Sequence, residues 1–297
     1  MNAALNLDGV TKSFGSKAAL SGLTLSVPEG SVFGFIGRNG AGKTTAMRIA
    51  AGLLPAGGGS VSIFGQAVAF GRTHPGLGYL RDVPEFYGYL TPAEYLSLSG
   101  RLTGMNQTDA AQSAKKLLGE VGLDADSKRR IGGFSRGMKQ RLGLAQALIG
   151  SPRLLICDEP TSALDPPGRR EMLELLEKLR GRATVVFSTH VLSDVERICD
   201  RVGVIESGKL VLEGSLSDIK QRYRAGSALI SFASPEEAKR FSLERGLTAD
   251  GASVRAGVDS PEKGRELLLA AASSGLNIVR FEMQEPTLED IFLEAAR

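Results

Sequence analysis

Apolar residues along the first two thirds of the chain form short, β-rich runs that alternate with longer segments of helical periodicity. The runs include residues 31–36, 154–157 and 183–188, and the helical segments include 43–52 and 168–179. Continuous apolar strands in alternation with helices are typical of an α/β fold whose strands are buried and largely parallel. We therefore predict an α/β sheet domain.

Over about residues 86–150 the pattern changes to helices alone. Thr91 and Pro92 form a cap and first-turn pair, and Thr108 is predicted to cap the helix that ends near Glu120. This segment is interpreted as a helical insert carried on the sheet domain.

Beyond about residue 220 the alternation of strand and helix resumes on a smaller scale. Strands are predicted near 229–232, 254–258 and 277–281, helices near 235–245 and 261–274, and a last helix from Thr287. This order predicts a small α+β domain. The chain is thus predicted to divide into a sheet domain at 1–220 and a C-terminal accessory domain at 221–297.

The last predicted helix is amphipathic. Thr287 is its expected N-cap, Asp290 stands at the third helical position, and Leu288, Ile291 and Phe292 share one face. No residue pattern in this tail indicates chemistry, so we expect packing or a role in dimer stability.

Composition and charge exclude several classes of function. The 36 basic and 33 acidic residues give a formal charge of +3, which is too small to indicate a nucleic-acid partner. Cys157 and Cys199 lack metal-ligand spacing and are expected to be reduced, packed thiols. The sequence contains neither a signal-peptide pattern nor an apolar stretch long enough to cross a bilayer. Any work at a membrane is therefore expected to need a membrane-spanning partner.

A phosphate-binding motif follows the apolar strand 31–36. The stretch from Gly37 to Thr44 fits G-x-x-x-x-G-K-[ST] at every fixed position and runs directly into a helical segment. In such a loop, backbone N–H groups wrap the β-phosphate, Lys43 reaches the β- and γ-phosphates, Thr44 can ligate Mg²⁺, and Thr45 is expected near the α-phosphate. The remaining loop residues expected to bind ATP are Gly37, Asn39, Gly40, Ala41 and Gly42. The alternative, a plain glycine turn, is disfavoured by the flanking strand and helix. The motif indicates a P-loop NTPase sheet domain.

Two carboxylates end the apolar run 154–157. Asp158 would hold Mg²⁺ through water, and Glu159 would polarise the water that attacks the γ-phosphate. Many strands end in acidic residues, so this pattern is weak alone. Together with the glycine loop it predicts nucleotide hydrolysis.

The stretch 133–141, Gly-Phe-Ser-Arg-Gly-Met-Lys-Gln-Arg, resembles the ABC signature, with Ser-Arg-Gly-Met in place of the commoner Ser-Gly-Gly-Gln. This form is similar to that of exporter-type ATPases of the drug-resistance branch. Residues 162–165 resemble the family's D-loop, 188–190 resemble its switch histidine, and 285–293 resemble the ending found in the same branch.

The resemblance implies a head-to-tail dimer in which the glycine loop of one subunit and the signature of the other close on each ATP. Ser135, Gly137 and Asp165 would then contact ATP across the dimer, His190 would bridge the γ-phosphate and the attacking water, and Phe14 would stack on adenine. Each residue also has an ordinary structural alternative. Ser135 and Asp165 could cap helices, Phe14 could lie in the core, and a lone histidine is often structural.

One segment departs from the family pattern. Arg81 replaces the usual proline of the Q-loop, and Asp82 stands where a glutamine or glutamate senses Mg²⁺. The Asp82 carboxylate could accept a metal-bound water, but its stem is about one methylene shorter. Aromatic residues follow at Phe86, Tyr87 and Tyr89, as the insert's own core or as a socket for a helix of a membrane subunit.

These features predict the ATP-hydrolysing subunit of an ABC transporter. It would lie on the cytoplasmic side of the cell membrane and use ATP and Mg²⁺. Its partners would be a separate transmembrane permease and a second ATPase subunit, for which one complete motif set makes a homodimer sufficient. Export is favoured over import by the resemblance alone.

Three other functions compete with this prediction. A GTPase is disfavoured because the guanine-reading N-K-x-D motif is absent. A soluble ABC protein acting on DNA or ribosomes usually has two cassettes, zinc-binding inserts or long coiled coils. A nucleotide-gated subunit with little hydrolysis is disfavoured by the presence of Lys43, Glu159 and His190, although Asp82 leaves it open.

Overall fold

The protein is described by a computed structural model that covers residues 2–162, 164–222, 226–258, 260–284, 288–289 and 291. The chain separates into two compact units, 1–215 and 216–297, whereas the sequence places the boundary near residue 220.

The first unit contains ten strands and six α-helices in the part of the chain that the structure describes. The strands are β1 (Ala3–Phe14), β2 (Lys17–Pro28), β3 (Val32–Ile36), β4 (Gly58–Ile63), β5 (Gln66–Ala67), β6 (Leu77–Leu80), β7 (Leu154–Cys157), β8 (Thr184–Thr189), β9 (Arg201–Glu206) and β10 (Lys209–Ser215). The helices are α1 (Lys43–Ala50), α2 (Pro92–Leu102), α3 (Gln107–Glu120), α4 (Arg136–Leu148), α5 (Pro166–Glu177) and α6 (Leu192–Ile198).

A six-stranded sheet forms the centre of this unit, in the order β10-β9-β3-β8-β7-β6. The strands from β9 to β6 are parallel, and β10 pairs antiparallel with β9 at one edge. Every residue of β3, β7 and β8 is buried, as expected for strands covered on both faces. The predicted α/β sheet of buried, largely parallel strands is confirmed.

A second sheet packs into the same core. Its strands are antiparallel, in the order β2-β1-β4-β5, and its apolar side chains share one cluster with α1 and the central sheet. Its buried residues alternate with exposed ones, as Leu5, Leu7, Leu23 and Leu25 illustrate. The hydrophobic pattern does not predict this sheet, because its half-exposed strands lack the continuous apolar runs of the parallel ones.

The helical insert is formed by α2, α3 and α4. Thr91 caps α2 as predicted, in a capping box in which its hydroxyl accepts from the Glu94 N–H and Glu94 reaches back to the Thr91 backbone. The prediction for α3 is wrong by two residues. Asn106, not Thr108, is the N-cap, and its Oδ1 accepts from the Asp109 N–H at 2.9 Å. Asparagine is a stronger N-cap than threonine, so the helix begins earlier and includes Thr108 in its first turn.

The parallel strands end at a common edge. In the register, Ile36 lies opposite Thr189, and Leu80 lies opposite Cys157. The glycine loop after β3, the segment after β6, the acidic pair after β7 and the histidine after β8 therefore leave the sheet side by side. This carboxyl edge is where open α/β sheets bind ligands.

The second unit is a small α+β structure. Its strands are β11 (Gly226–Phe232), β12 (Thr248–Asp250), β13 (Ser253–Val258) and β14 (Ile278–Gln284), and its helices are α7 (Leu216–Arg222), α8 (Pro235–Arg245) and α9 (Pro261–Ala272). The strands form an antiparallel sheet in the order β12-β13-β11-β14. Apolar residues of the sheet pack against α8, with the rings of Phe232 and Phe241 5.2 Å apart.

Most elements of the second unit agree with the sequence. Ser234 and Ser260 cap α8 and α9, each followed by proline at the first position. The three-residue strand β12 is not predicted. Of the last predicted helix, Leu288 and Ile291 are buried, whereas Thr287, Asp290 and Phe292 lie outside the described residues.

Neither cysteine forms a disulfide. Both thiols are buried, and burial raises the pKa of each well above its ordinary value. They are inert packing groups, as predicted. Over the ranges that the structure describes, no helix combines the length and the apolar character needed to span a membrane.

A close approach between β6 and α4 gives a stability prediction. A Cβ on Gly78 would lie 2.3 Å from the Ala147 carbonyl oxygen and 2.9 Å from Pro152 Cγ. Because backbone cannot easily move aside, Gly78→Ala is expected to lower the free energy of unfolding by about 1–3 kcal/mol in urea denaturation. Gly119→Ala is the matched control, since Gly119 lies in α3 with open space around it. That change should be neutral or stabilise by about 0.5 kcal/mol. Equal stability of the two variants would contradict the close packing.

Candidate active site

The glycine loop joins β3 to α1 across the carboxyl edge of the sheet. Gly42, the N-cap of α1, has φ 112°, and a Cβ there would lie 2.6 Å from the Ala19 carbonyl oxygen. Only glycine fits such a position without strain. The first N–H groups of α1 have no partner within the helix, so the loop and helix start together offer backbone donors and a positive dipole end to an anion.

Lys43 is the buried charge of this loop, with 3% of its side chain exposed. Its Nζ donates to the Gly37 carbonyl oxygen at 2.7 Å and lies 3.2 Å from Glu159 Oε1. A buried ammonium is costly unless it is paired and hydrogen-bonded, and Lys43 has both kinds of partner. The ion pair connects the glycine loop to the chain that leaves β7.

Asp158 is a buried carboxylate beside that ion pair. Its Oδ1 accepts from Thr44 Oγ1 at 3.0 Å and from Ser188 Oγ at 2.9 Å. Burial raises the pKa of Asp158, the two hydroxyls oppose this, and the negative charges of Asp82 and Glu159 raise it further. A carboxylate in such a field is stabilised by any cation that reaches it.

Glu159 has an unusual backbone. Its φ is +45°, in the left-handed region that non-glycine residues rarely adopt, and its N–H donates to Ser188 Oγ at 2.9 Å. Its carboxylate lies between two basic groups, with Oε1 near Lys43 and Oε2 3.2 Å from Nδ1 of the exposed His190. The Glu159 carboxylate thus faces the glycine loop on one side and His190 on the other.

The residues predicted to bind Mg²⁺ offer only oxygen ligands. Thr44 and Asp158 are hydrogen-bonded to each other, and Asp82 is close enough for its charge to act on Asp158. No cluster of three or more His, Cys, Asp or Glu side chains suited to a metal exists within the described ranges. Hard oxygen ligands and few carboxylates are typical of Mg²⁺ sites in which phosphate oxygens complete the coordination. The residues therefore fit Mg²⁺ bound together with a nucleotide.

Ser135, Gly137 and Asp165 lie at two neighbouring helix starts. Ser135 Oγ accepts from the Met138 N–H at the start of α4, and Asp165 Oδ1 accepts from the Gly168 N–H at the start of α5. Gly137 faces Leu164, whose Cδ2 is 3.8 Å from the place of a Cβ. The capping alternative is thus observed for both polar residues. A cap leaves the other N–H groups of the first turn available, so it is compatible with binding a phosphate.

Phe14 is not a core residue. It ends β1 with 53% of its surface exposed, and the Lys12 ammonium lies 5.5 Å from the ring centroid. An exposed ring beside a cation is a suitable platform for a flat, electron-rich base.

The structure also contains a buried cluster that the sequence does not indicate. Asp194, 3% exposed, accepts from Thr161 Oγ1 at 2.9 Å and from Arg169 Nε at 2.7 Å. Thr161 lies two positions after Glu159, Arg169 lies four after Asp165, and Asp194 lies four after His190. One carboxylate thereby joins the turn after Glu159 to the first turns of α5 and α6, which follow Asp165 and His190. The only sequence signal is the nearness of each residue to a motif.

Two family profiles match separate parts of the chain. A profile described as "ABC transporter" matches residues 20–162. A second, described as "ATP-binding protein DrrA1-3-like, C-terminal domain", matches residues 214–296.

Curated relatives are similar over almost the whole length. The chain is 36% identical over 293 residues to the ABC transporter ATP-binding protein YxlF of Bacillus subtilis, with 98% of each chain covered. It is 33% identical over 306 residues to the bacitracin transport ATP-binding protein BcrA of Bacillus licheniformis, covering 99% of this chain and 97% of the relative. It is 34% identical over 298 residues to the Nod factor export ATP-binding protein I of a Rhizobium species, covering 98% and 96%.

Solved structures have a similar fold. The ATP-binding subunit of an ABC transporter superimposes with a TM-score of 0.67 at 30% identity, covering 74% of this chain and 93% of that chain. A dimeric ATP-binding cassette in a post-hydrolysis state, bound to ADP and Pi, gives 0.65 at 25% identity, covering 71% and 98%.

The buried Asp194 cluster gives a second prediction. Asp194→Asn should lower the free energy of unfolding by about 2 kcal/mol, because it leaves Arg169 without its anion in a partly buried position. Urea denaturation measures the change. Glu244→Gln is the control, since Glu244 forms only an exposed pair with Arg240 on α8 and should leave stability unaltered. An unchanged stability of the Asp194 variant would mean that the cluster contributes nothing to the fold.

Proposed function

The chain belongs to the family of ABC transporter ATP-binding proteins, and we propose that its carboxyl-edge site hydrolyses ATP to drive export through a separate transmembrane permease. The observation that carries the proposal is the arrangement of Glu159 between Lys43 of the glycine loop and His190. A base, a phosphate-binding cation and a second polar group converge there on one point. This is the set that phosphoryl transfer to water requires.

Each residue has a distinct part in the proposed reaction. Backbone N–H groups of residues 37–42 and the Lys43 ammonium bind the β- and γ-phosphates. Glu159 accepts a hydrogen bond from the attacking water and orients it in line with the β–γ bond. His190 holds the Glu159 carboxylate from the other side. Mg²⁺, which Thr44, Asp82 and Asp158 would hold, neutralises phosphate charge when bound.

We propose that two chains close head to tail on ATP. The starts of α4 and α5 present Ser135, Gly137 and Asp165 with first-turn N–H groups suited to a γ-phosphate held by another chain. The dimeric post-hydrolysis cassette is consistent with this arrangement for a protein of the same fold. One motif set suffices for two equivalent sites, so a homodimer is the simpler assembly.

The permease is proposed to dock on the insert beside Asp82, on the cytoplasmic side of the membrane. Phe86 is partly buried and packs edge-on against Tyr95 of α2, with ring centroids 5.1 Å apart. Val83, Tyr87 and Tyr89 are exposed by contrast. Exposed aromatic and apolar groups in one segment favour a protein partner. The relatives named for bacitracin transport and Nod factor export support export as the direction.

Glu159→Gln tests the proposed base. The amide keeps the shape of the side chain but cannot accept a proton, so steady-state ATPase turnover should fall by at least about a hundredfold. ATP binding should persist, because Lys43 still donates to the Gly37 carbonyl oxygen and can also bind the phosphates. The closed dimer should then accumulate in the presence of ATP, as size-exclusion chromatography would show.

The matched control is Glu174→Gln, which alters an exposed pair with Arg197. It should hydrolyse ATP at the wild-type rate. A Glu159 variant that hydrolyses at nearly that rate would refute the assigned base. Affinity purification from native membranes completes the test: a polytopic membrane protein should co-purify, whereas capture of ribosomes or DNA would favour a soluble ABC function.

Phe14→Ala tests the adenine platform. Loss of one base–aromatic stack should weaken ATP binding about tenfold in isothermal titration calorimetry, while Phe14→Tyr should bind like the wild type. Phe70→Ala is the control, because Phe70 is a similarly exposed ring, at 63%, outside the proposed site. If both alanine variants bind ATP equally well, Phe14 is not the platform.

A further inference from the structure

Asp82 is held by a residue outside the proposed set of ligands. Its Oδ1 accepts a hydrogen bond of 2.6 Å from the hydroxyl of Ser162, 80 positions further along the chain. Ser162 is itself fixed by its backbone, because its N–H donates to the Glu159 carbonyl oxygen at 3.2 Å. The turn that starts at Glu159 therefore ends at Ser162, whose hydroxyl donates to Asp82.

The sheet places this contact beside the proposed metal site. Leu80 lies opposite Cys157 in the β6–β7 register, and the Asp158 N–H donates to the Leu80 carbonyl oxygen at 2.8 Å. Asp82 and Asp158 thus leave adjacent strand ends. Both carboxylates therefore follow neighbouring strands at the same edge of the sheet.

A short side chain needs support to hold one position. Asp82 lies on an irregular segment after β6 and is partly exposed, so its carboxylate would otherwise sample several rotamers. A hydrogen bond between a hydroxyl and an ionised carboxylate is among the stronger ones. Ser162 therefore selects the Asp82 conformer that faces the turn of Glu159.

We propose that Ser162 is a positioning residue that holds Asp82 beside Asp158, so that the aspartate takes part in metal binding despite its short stem. The inference rests on the proposed ATPase function. It assigns Ser162 a role within its own subunit, in addition to any role of the 162–165 segment across the dimer. It also links the segment that leads into the insert to the turn that carries Glu159.

The test measures metal affinity rather than turnover. The full-length chain is saturated with the non-hydrolysable analogue AMP-PNP, and Mn²⁺ binding is titrated by EPR. Ser162→Ala should weaken Mn²⁺ binding about three- to tenfold, the range for one lost intramolecular hydrogen bond of ordinary strength. Ser162→Thr keeps the hydroxyl and should stay within about twofold of wild type. Affinity for AMP-PNP in EDTA should not change in either variant.

Two further variants separate positioning from a general structural effect. Ser99→Ala removes a hydroxyl that donates to the Tyr95 carbonyl oxygen within α2, and it should leave Mn²⁺ affinity unchanged. In an Asp82→Ala background, Ser162→Ala should cause no additional loss, because Ser162 acts only through Asp82. Wild-type Mn²⁺ affinity in Ser162→Ala, or a loss that adds fully to that of Asp82→Ala, would overturn the inference.

Failure of the inference can be told from failure of the proposed function. If wild type binds Mn²⁺ with AMP-PNP and Glu159→Gln abolishes turnover, an unaffected Ser162→Ala variant overturns the role of Ser162 alone. If wild type binds no Mn²⁺ with the analogue, the nucleotide–metal site is misassigned and both proposals fall.

Discussion

The ion pair between Lys43 and Glu159 joins chain segments that leave β3 and β7, with β8 between them in the sheet. A lysine with almost no exposure is stable only with an anion and a carbonyl at hand, so the glycine loop depends on the end of β7 for its shape. The intervening strand completes the arrangement, since Ser188 binds the backbone of Glu159 and the side chain of Asp158. The buried parallel strands thus act as a rigid base that sets the spacing of these charges.

Much of this arrangement is predictable from the sequence because it is local. The glycine loop, the apolar run into Asp158 and Glu159, and the prolines and caps at helix starts are each contained within about a dozen neighbouring residues. Parallel strands add the rule that their ends meet at one edge. The α/β class, the helical insert and the convergence of Lys43, Thr44, Asp158, Glu159 and His190 follow from these facts.

The remaining features depend on partners that are distant in sequence. Thr161 and Asp194 are 33 residues apart, and Asp82 and Ser162 are 80 apart. No local periodicity encodes such pairs. The strands of an antiparallel sheet with one solvent-exposed face also have a weaker hydrophobic pattern than fully buried strands. The misplaced cap of α3 has a local cause, since Asn106 and Thr108 are both acceptable caps and the stronger one prevails.

The Asp194 cluster also constrains how this protein can vary over evolutionary time. Because Thr161 and Arg169 share a single buried carboxylate, replacing Asp194 removes the partner of both, and replacing either of the two leaves one Asp194 oxygen without its donor. A substitution at one of these positions therefore lowers stability unless a second substitution compensates for it. Changes in stability at the three positions are therefore coupled, and so are changes in the turn and the two helix starts that they join.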